Sequence, residues 1–153
     1  MIYKIITGTL LILSIVIIVK MTTIITPVTI IDIHSKIVND LQANYGITKK
    51  MAEAIYKVHI ISEYSPDFIA KLILSESSFN PDAKSPKGYK GILQTPTKTG
   101  YLKTDILHGI EILQSKFKQH KDPIDAIAAY KGGKDKPQAR RQAIALLKAI
   151  KEI

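Results

Sequence analysis

Apolar residues return every third or fourth position through most of this chain, and that spacing is the strongest limit on its fold. Ile33, Ile37, Val38 and Leu41 predict a helix over His34–Ala43, stopped by Asn44-Tyr45-Gly46. Thr48 can cap a second helix running to about Glu63, with Met51, Ile55, Val58 and Ile60 or Ile61 on one face. Ile106, Leu107, Ile110, Leu113 and Phe117 predict another over Thr104–Phe117. Gly109 inside it costs roughly 1 kcal/mol against alanine, which hints at a close approach. Asp122-Pro123 is a capped start for an alanine-rich helix to Tyr130, and Lys131–Asp135 breaks it. Lys136–Ile153 is amphipathic, with Ala143, Ile144, Leu147 and Ile150 predicted inward and Arg140, Arg141, Lys148 and Lys151 outward. No strand-like alternation runs longer than a few residues, so the fold class is mainly α. There is no cysteine, which excludes disulfides and thiolate metal sites, and no metal or cofactor is expected.

The first 33 residues read differently. Ile5–Val19 is an apolar run of 15 residues, short for a span of about 20. Lys20 can snorkel and Met21–Ile33 continues apolar, so the two together can cross a bilayer, with Lys4 favouring an N-terminus inside. A cleavable signal peptide is the rival reading, but no small-x-small site follows the run. The expected organisation is a single-pass N-terminal transmembrane helix or signal peptide with linker over 1–33, and one helical domain over 34–153. All but one unit of the +9 net charge lies from His34 onward, which suggests a polyanionic partner. Nucleic acid is a weak candidate, because no aromatic stacking motif or reading helix is recognisable.

The chemistry concentrates between Ser65 and Gln94. Ser65-Pro66 opens a helix, and Glu76 continues the stripe of Ile69, Leu72 and Ile73. An ionised carboxylate is costly to bury unpaired. A carboxyl half buried in an apolar cleft holds its proton closer to neutral pH and can protonate a glycosidic oxygen. The alternative is a helix-end glutamate pointing at water, and periodicity alone leaves both open. Asn80–Tyr89 is a loop by its proline, glycine, aspartate and serine content.

Glu76-Ser77-Ser78-Phe79-Asn80-Pro81, Ser85-Pro86-Lys87-Gly88, Gly91-Ile92-Leu93-Gln94 and Ala128-Ala129-Tyr130-Lys131-Gly132-Gly133 together resemble the catalytic core of the soluble lytic transglycosylases, relatives of goose-type lysozymes. The resemblance covers roughly Asp67 to Gly133. It implies a lysozyme-like helical domain acting on peptidoglycan glycan strands. Glu76 would be the catalytic acid and then base, closing a 1,6-anhydro ring without water. Ser77, Gln94 and Tyr130 would bind substrate, and Gly91 would start a helix lining the cleft. Each has a plain structural alternative: Ser77 bonding its own helix end, Gln94 at the surface, Tyr130 as a core aromatic.

Two departures stand out. Lys131 replaces the family's asparagine, and Thr95-Pro96 brings the proline one residue early, which shortens or shifts the cleft wall. The lysine keeps a non-catalytic wall-binding or scaffold module in play, and a water-using lysozyme, such as a phage encodes, is a further alternative. An enzyme of this kind would sit in the cytoplasmic membrane with its domain on the periplasmic or wall side, or be secreted or virion-associated. It could serve wall remodelling, a secretion or conjugation machine, or phage assembly.

Overall fold

The computed structural model describes residues 28–151, and the predicted anchor lies almost wholly outside them. Among the described residues no helix is long and apolar enough to cross a membrane. The chain divides between Lys36 and Ile37, and the helical body begins at Ile37. Six helices are described: α1 Val28–Tyr45, α2 Lys49–His59, α3 Pro66–Ser77, α4 Leu102–Gln119, α5 Pro123–Tyr130 and α6 Pro137–Lys151.

Their starts follow from local chemistry. The side chains of Thr48, Ser65 and Asp122 accept from the backbone N–H groups of Met51, Phe68 and Ile124, which satisfies donors that an α-helix leaves open. Pro66 and Pro123 occupy first-turn positions where no N–H is needed.

One core gathers the apolar stripes. Ile55 and Val58 of α2, Ile69, Leu72 and Ile73 of α3, Ile106, Ile110 and Leu113 of α4, and Ile127 of α5 are sealed from solvent. Helix α2 packs on α3 and α4, α3 on α6, and α5 on both α4 and α6. Lys71 of α3 pairs with Asp67 one turn earlier at 2.9 Å, and also donates to the carbonyl of Ala149 near the end of α6. A cation there complements the negative end of the helix.

Three expectations change. Helix α2 ends at His59, so Ile60 and Ile61 are exposed and do not extend its buried face. Helix α6 buries Ala139, Ala143 and Leu146, leaving Ile144 exposed, so its inner face is turned from the predicted one. The Arg140–Asp125 ion pair to α5 and the small alanine side chains set that roll, because alanine lets α5 come closest.

The third is Gly91–Thr95, which is a tight turn and not a helix. Gly91 and Gln94 have φ of +77° and +49°, which a right-handed helix cannot accommodate. Lys90 exchanges backbone bonds with Thr95, at 2.9 and 3.0 Å, and closes the turn. The turn buries Ile92 and Leu93 in the core. It also rests on Gly109 of α4, as the glycine in mid-helix suggested: a Cβ there would lie 2.5 Å from Leu93 Cδ1 and 2.6 Å from Leu93 Cβ.

Asp105 was not singled out by its spacing, yet it is buried in the first turn of α4. Its carboxylate accepts from Thr99 N at 2.7 Å, Thr99 Oγ1 at 2.8 Å and Gly100 N at 3.2 Å, stapling the 97–101 loop to the helix.

Two stability measurements test these contacts. Gly109→Ala gains roughly 1 kcal/mol of helix propensity but overpacks Leu93 at its Cβ, which costs about 1–3 kcal/mol. Net destabilisation is expected in urea unfolding, and a more stable variant would refute the close approach. Asp105→Ala leaves loop donors without their acceptor and should lower stability by about 2–3 kcal/mol in the same assay.

Candidate functional site

The end of α3 opens onto a groove of about 670 Å³. Glu76 lies in the last turn of the helix, and Ile69, Leu72 and Ile73 fix the roll that turns it toward the groove. Ser78 and Phe79 then stop the helix in left-handed backbone, with φ of +51° and +62°. Left-handed φ is unfavourable for a bulky residue such as Phe79. The ring is held by Tyr45 at 5.7 Å, whose hydroxyl in turn donates to Asp67.

An acidic side chain at a helix C-terminus faces the negative end of the dipole. Here a cation from another element offsets it. Lys131, directly after α5, places Nζ 2.5 Å from Glu76 Oε1, and the lysine and glutamate side chains are 2% and 13% exposed. Nζ also donates to Ser75 Oγ at 2.9 Å. Glu76 therefore sits against an ammonium group and not against the purely apolar wall that its stripe predicted. The sequence marks Lys131 as a departure but does not reveal its partner, 55 residues away.

Gln94 and Tyr130 line the groove beside Glu76. Gln94 donates from Nε2 to the carbonyl of Gly91 at 2.8 Å, so its amide braces its own turn. The Tyr130 hydroxyl donates to the carbonyl of Leu93 at 2.9 Å. Burial, and then the negative charge of Glu76, raise its pKa far above the usual phenol range, so it stays protonated.

Ser77 does not line the groove; its hydroxyl donates to the carbonyl of Ile92 at 2.7 Å. Ser77 and Tyr130 thus hold consecutive carbonyls of the turn that forms one wall. Asp82 is exposed and pairs with Lys98 at 2.5 Å, which lowers its pKa below the usual carboxylate value. His59 is engaged with the carbonyl of Tyr64 at 2.9 Å, and Glu111 is exposed on α4.

Glu76 is the one carboxylate among the described groove residues. Tyr89, Pro86 and Pro96 present apolar surfaces, while Lys87, Lys116, Lys131 and Lys136 make the lining strongly basic. Among the described residues no group of three or more histidine, cysteine or carboxylate side chains could hold a metal ion.

Comparison with known families gives one match: residues 53–104 fit the model of the Transglycosylase SLT domain. No curated protein and no solved structure matches the chain. The matched stretch contains Glu76, Ser77, both turns and Gln94, while Tyr130 and Lys131 lie beyond it and join the site through the fold. That match makes this stretch, with Glu76 and one wall of the groove, similar to the Transglycosylase SLT domain, and it supports an SLT, lysozyme-like family.

Proposed function

We propose that the protein is a peptidoglycan lytic transglycosylase, held at the membrane by its N-terminal apolar segment with the helical body on the wall side. The observation that carries this reading is Glu76 as the one carboxylate lining the described groove. Most glycosidases work with two carboxylates, the second acting as nucleophile or as base for water. With one, the substrate itself can supply the attacking group. The muramyl sugar offers its 6-hydroxyl.

Glu76 would give its proton to the oxygen joining the muramyl C1 to the next sugar, and that C1–O bond would break with its electron pair on the oxygen. The carboxylate would then take the proton of the 6-hydroxyl as O6 bonds to C1. Glu76 regains its proton, no water is consumed, and the product ends in a 1,6-anhydro ring. Tyr89, Pro86 and Pro96 give the sugar rings apolar surfaces to lie on.

For Oε1 to be the donor the Lys131 ion pair has to part, because that oxygen cannot hold an ammonium and reach the glycosidic oxygen together. That contact also favours a second reading, a wall-binding module of the same fold in which the former acid serves as a structural partner of Lys131.

Digestion of purified sacculi with mass spectrometry of the products tests both. The lytic reading expects 1,6-anhydro ends, reduced at least about 100-fold in Glu76→Gln. Products that have gained water would point instead to a lysozyme. Binding without any cleavage by the unaltered protein would favour the module. Lys131→Asn restores the residue the family resemblance leads one to expect and removes the competing ammonium. It should raise turnover several-fold, and an unchanged or lower turnover would count against the displacement step.

A further inference from the structure

Two lysines of the groove lining, Lys87 and Lys136, make no ion pair with any carboxylate of that lining. Lys87 belongs to the turn at Ser85–Gly88, and Lys136 precedes α6; both side chains line the groove. Two adjacent glycines bring them together. Gly132 and Gly133 have φ of +112° and +144°, and a Cβ on the first would stand 3.2 Å from Lys87 Nζ. A Cβ on the second would stand 3.4 Å from Lys136 Cδ. Both side chains converge on this glycine pair, and the neighbouring Lys87 amine, by hydrogen bonding to the uncharged form and then by its charge, holds the Lys136 pKa below its usual value.

Glu76, Asp82 and Asp125 are engaged with Lys131, Lys98 and Arg140, while Asp135, directly before Lys136, is exposed and does not line the groove. The first turn of α6 reaches the groove through Gln138 and Ala139, so the positive end of a 15-residue helix adds to the same region. Like charges held near one another repel, and an anion between them adds two attractions that outweigh the repulsion.

We infer that Lys87 and Lys136 form a carboxylate subsite, so that the groove selects glycan strands whose muramyl units still carry peptide stems. This rests on the reading of the groove as a glycan site. Two neighbouring ammonium donors suit the two oxygens of one carboxylate. The subsite is also near Glu76, since its partner Lys131 is followed at once by the two glycines against which Lys87 and Lys136 lie. The peptide hangs from the same sugar whose bond Glu76 would attack, so its carboxylates travel with the reacting unit. A phosphodiester polymer attached elsewhere on the strand has no such fixed relation to the acid.

The test uses strands from sacculi freed of phosphate polymers, either with stems intact or stripped by an amidase. The full protein is compared with the Lys87→Met/Lys136→Met variant, after thermal melting shows that both fold. The unaltered protein should show a KM about tenfold lower for stem-bearing strands, with little difference in kcat, and the variant should lose that preference. Equal KM values for both strands in the unaltered protein overturn the subsite. So does a preference that survives in the variant, or a KM that rises equally on both strands.

If neither strand is cleaved, sedimentation with Glu76→Gln measures binding alone. A preference for stem-bearing strands that the two lysine changes abolish upholds the subsite while the lytic reading fails. Equal binding of both strands overturns the subsite.

Discussion

The buried stripe of α3 is the constraint from which the rest of the site follows. Ile69, Leu72 and Ile73 are fully enclosed, and a helix gripped on three side chains of one face has no freedom to roll. Glu76 is one short step further along that face, so its direction is decided by apolar packing and not by any polar contact. The left-handed residues Ser78 and Phe79 end the helix immediately afterwards and turn the chain away, which leaves space in front of the carboxylate.

The ion pair that Glu76 makes is easier to explain by location than by stability. Unit charges 4 Å apart attract by about 4 kcal/mol at a dielectric typical of a protein surface. Removing each ion from water costs several kcal/mol, so the attraction does no more than offset that cost. The contact is thus a poor source of folding energy. Its significance is that it occupies one oxygen of the one carboxylate lining the described groove. It also offsets a carboxylate placed at the unfavourable end of a helix dipole.

Much of this was legible in the sequence because local chemistry and tertiary packing agree. Ser65-Pro66 and Asp122-Pro123 announce helix starts that the fold uses, and Gly109 announces the approach of Leu93. The turn after Gly91 was not legible, because a short apolar pair such as Ile92-Leu93 reads alike in a buried turn and in a helix. The left-handed backbone of Gln94 carries no glycine to signal it. The roll of α6 was hidden for a related reason: alanine on several faces leaves the choice of inner face to its neighbours. Asp105, Lys87 and Lys136 escaped notice because their roles depend on residues brought together by the fold.

The hydroxyls of Ser77 and Tyr130 have a mechanical consequence. They hold the carbonyls of Ile92 and Leu93, one bond running to α3 and the other to α5. That side of the trench is thereby riveted to the same two helices that carry Glu76 and Lys131. The long, flexible lysine stems on the opposite side are free of that bracing. The molecule has a stiff jaw and a soft latch, and the latch is the part that carries the charge.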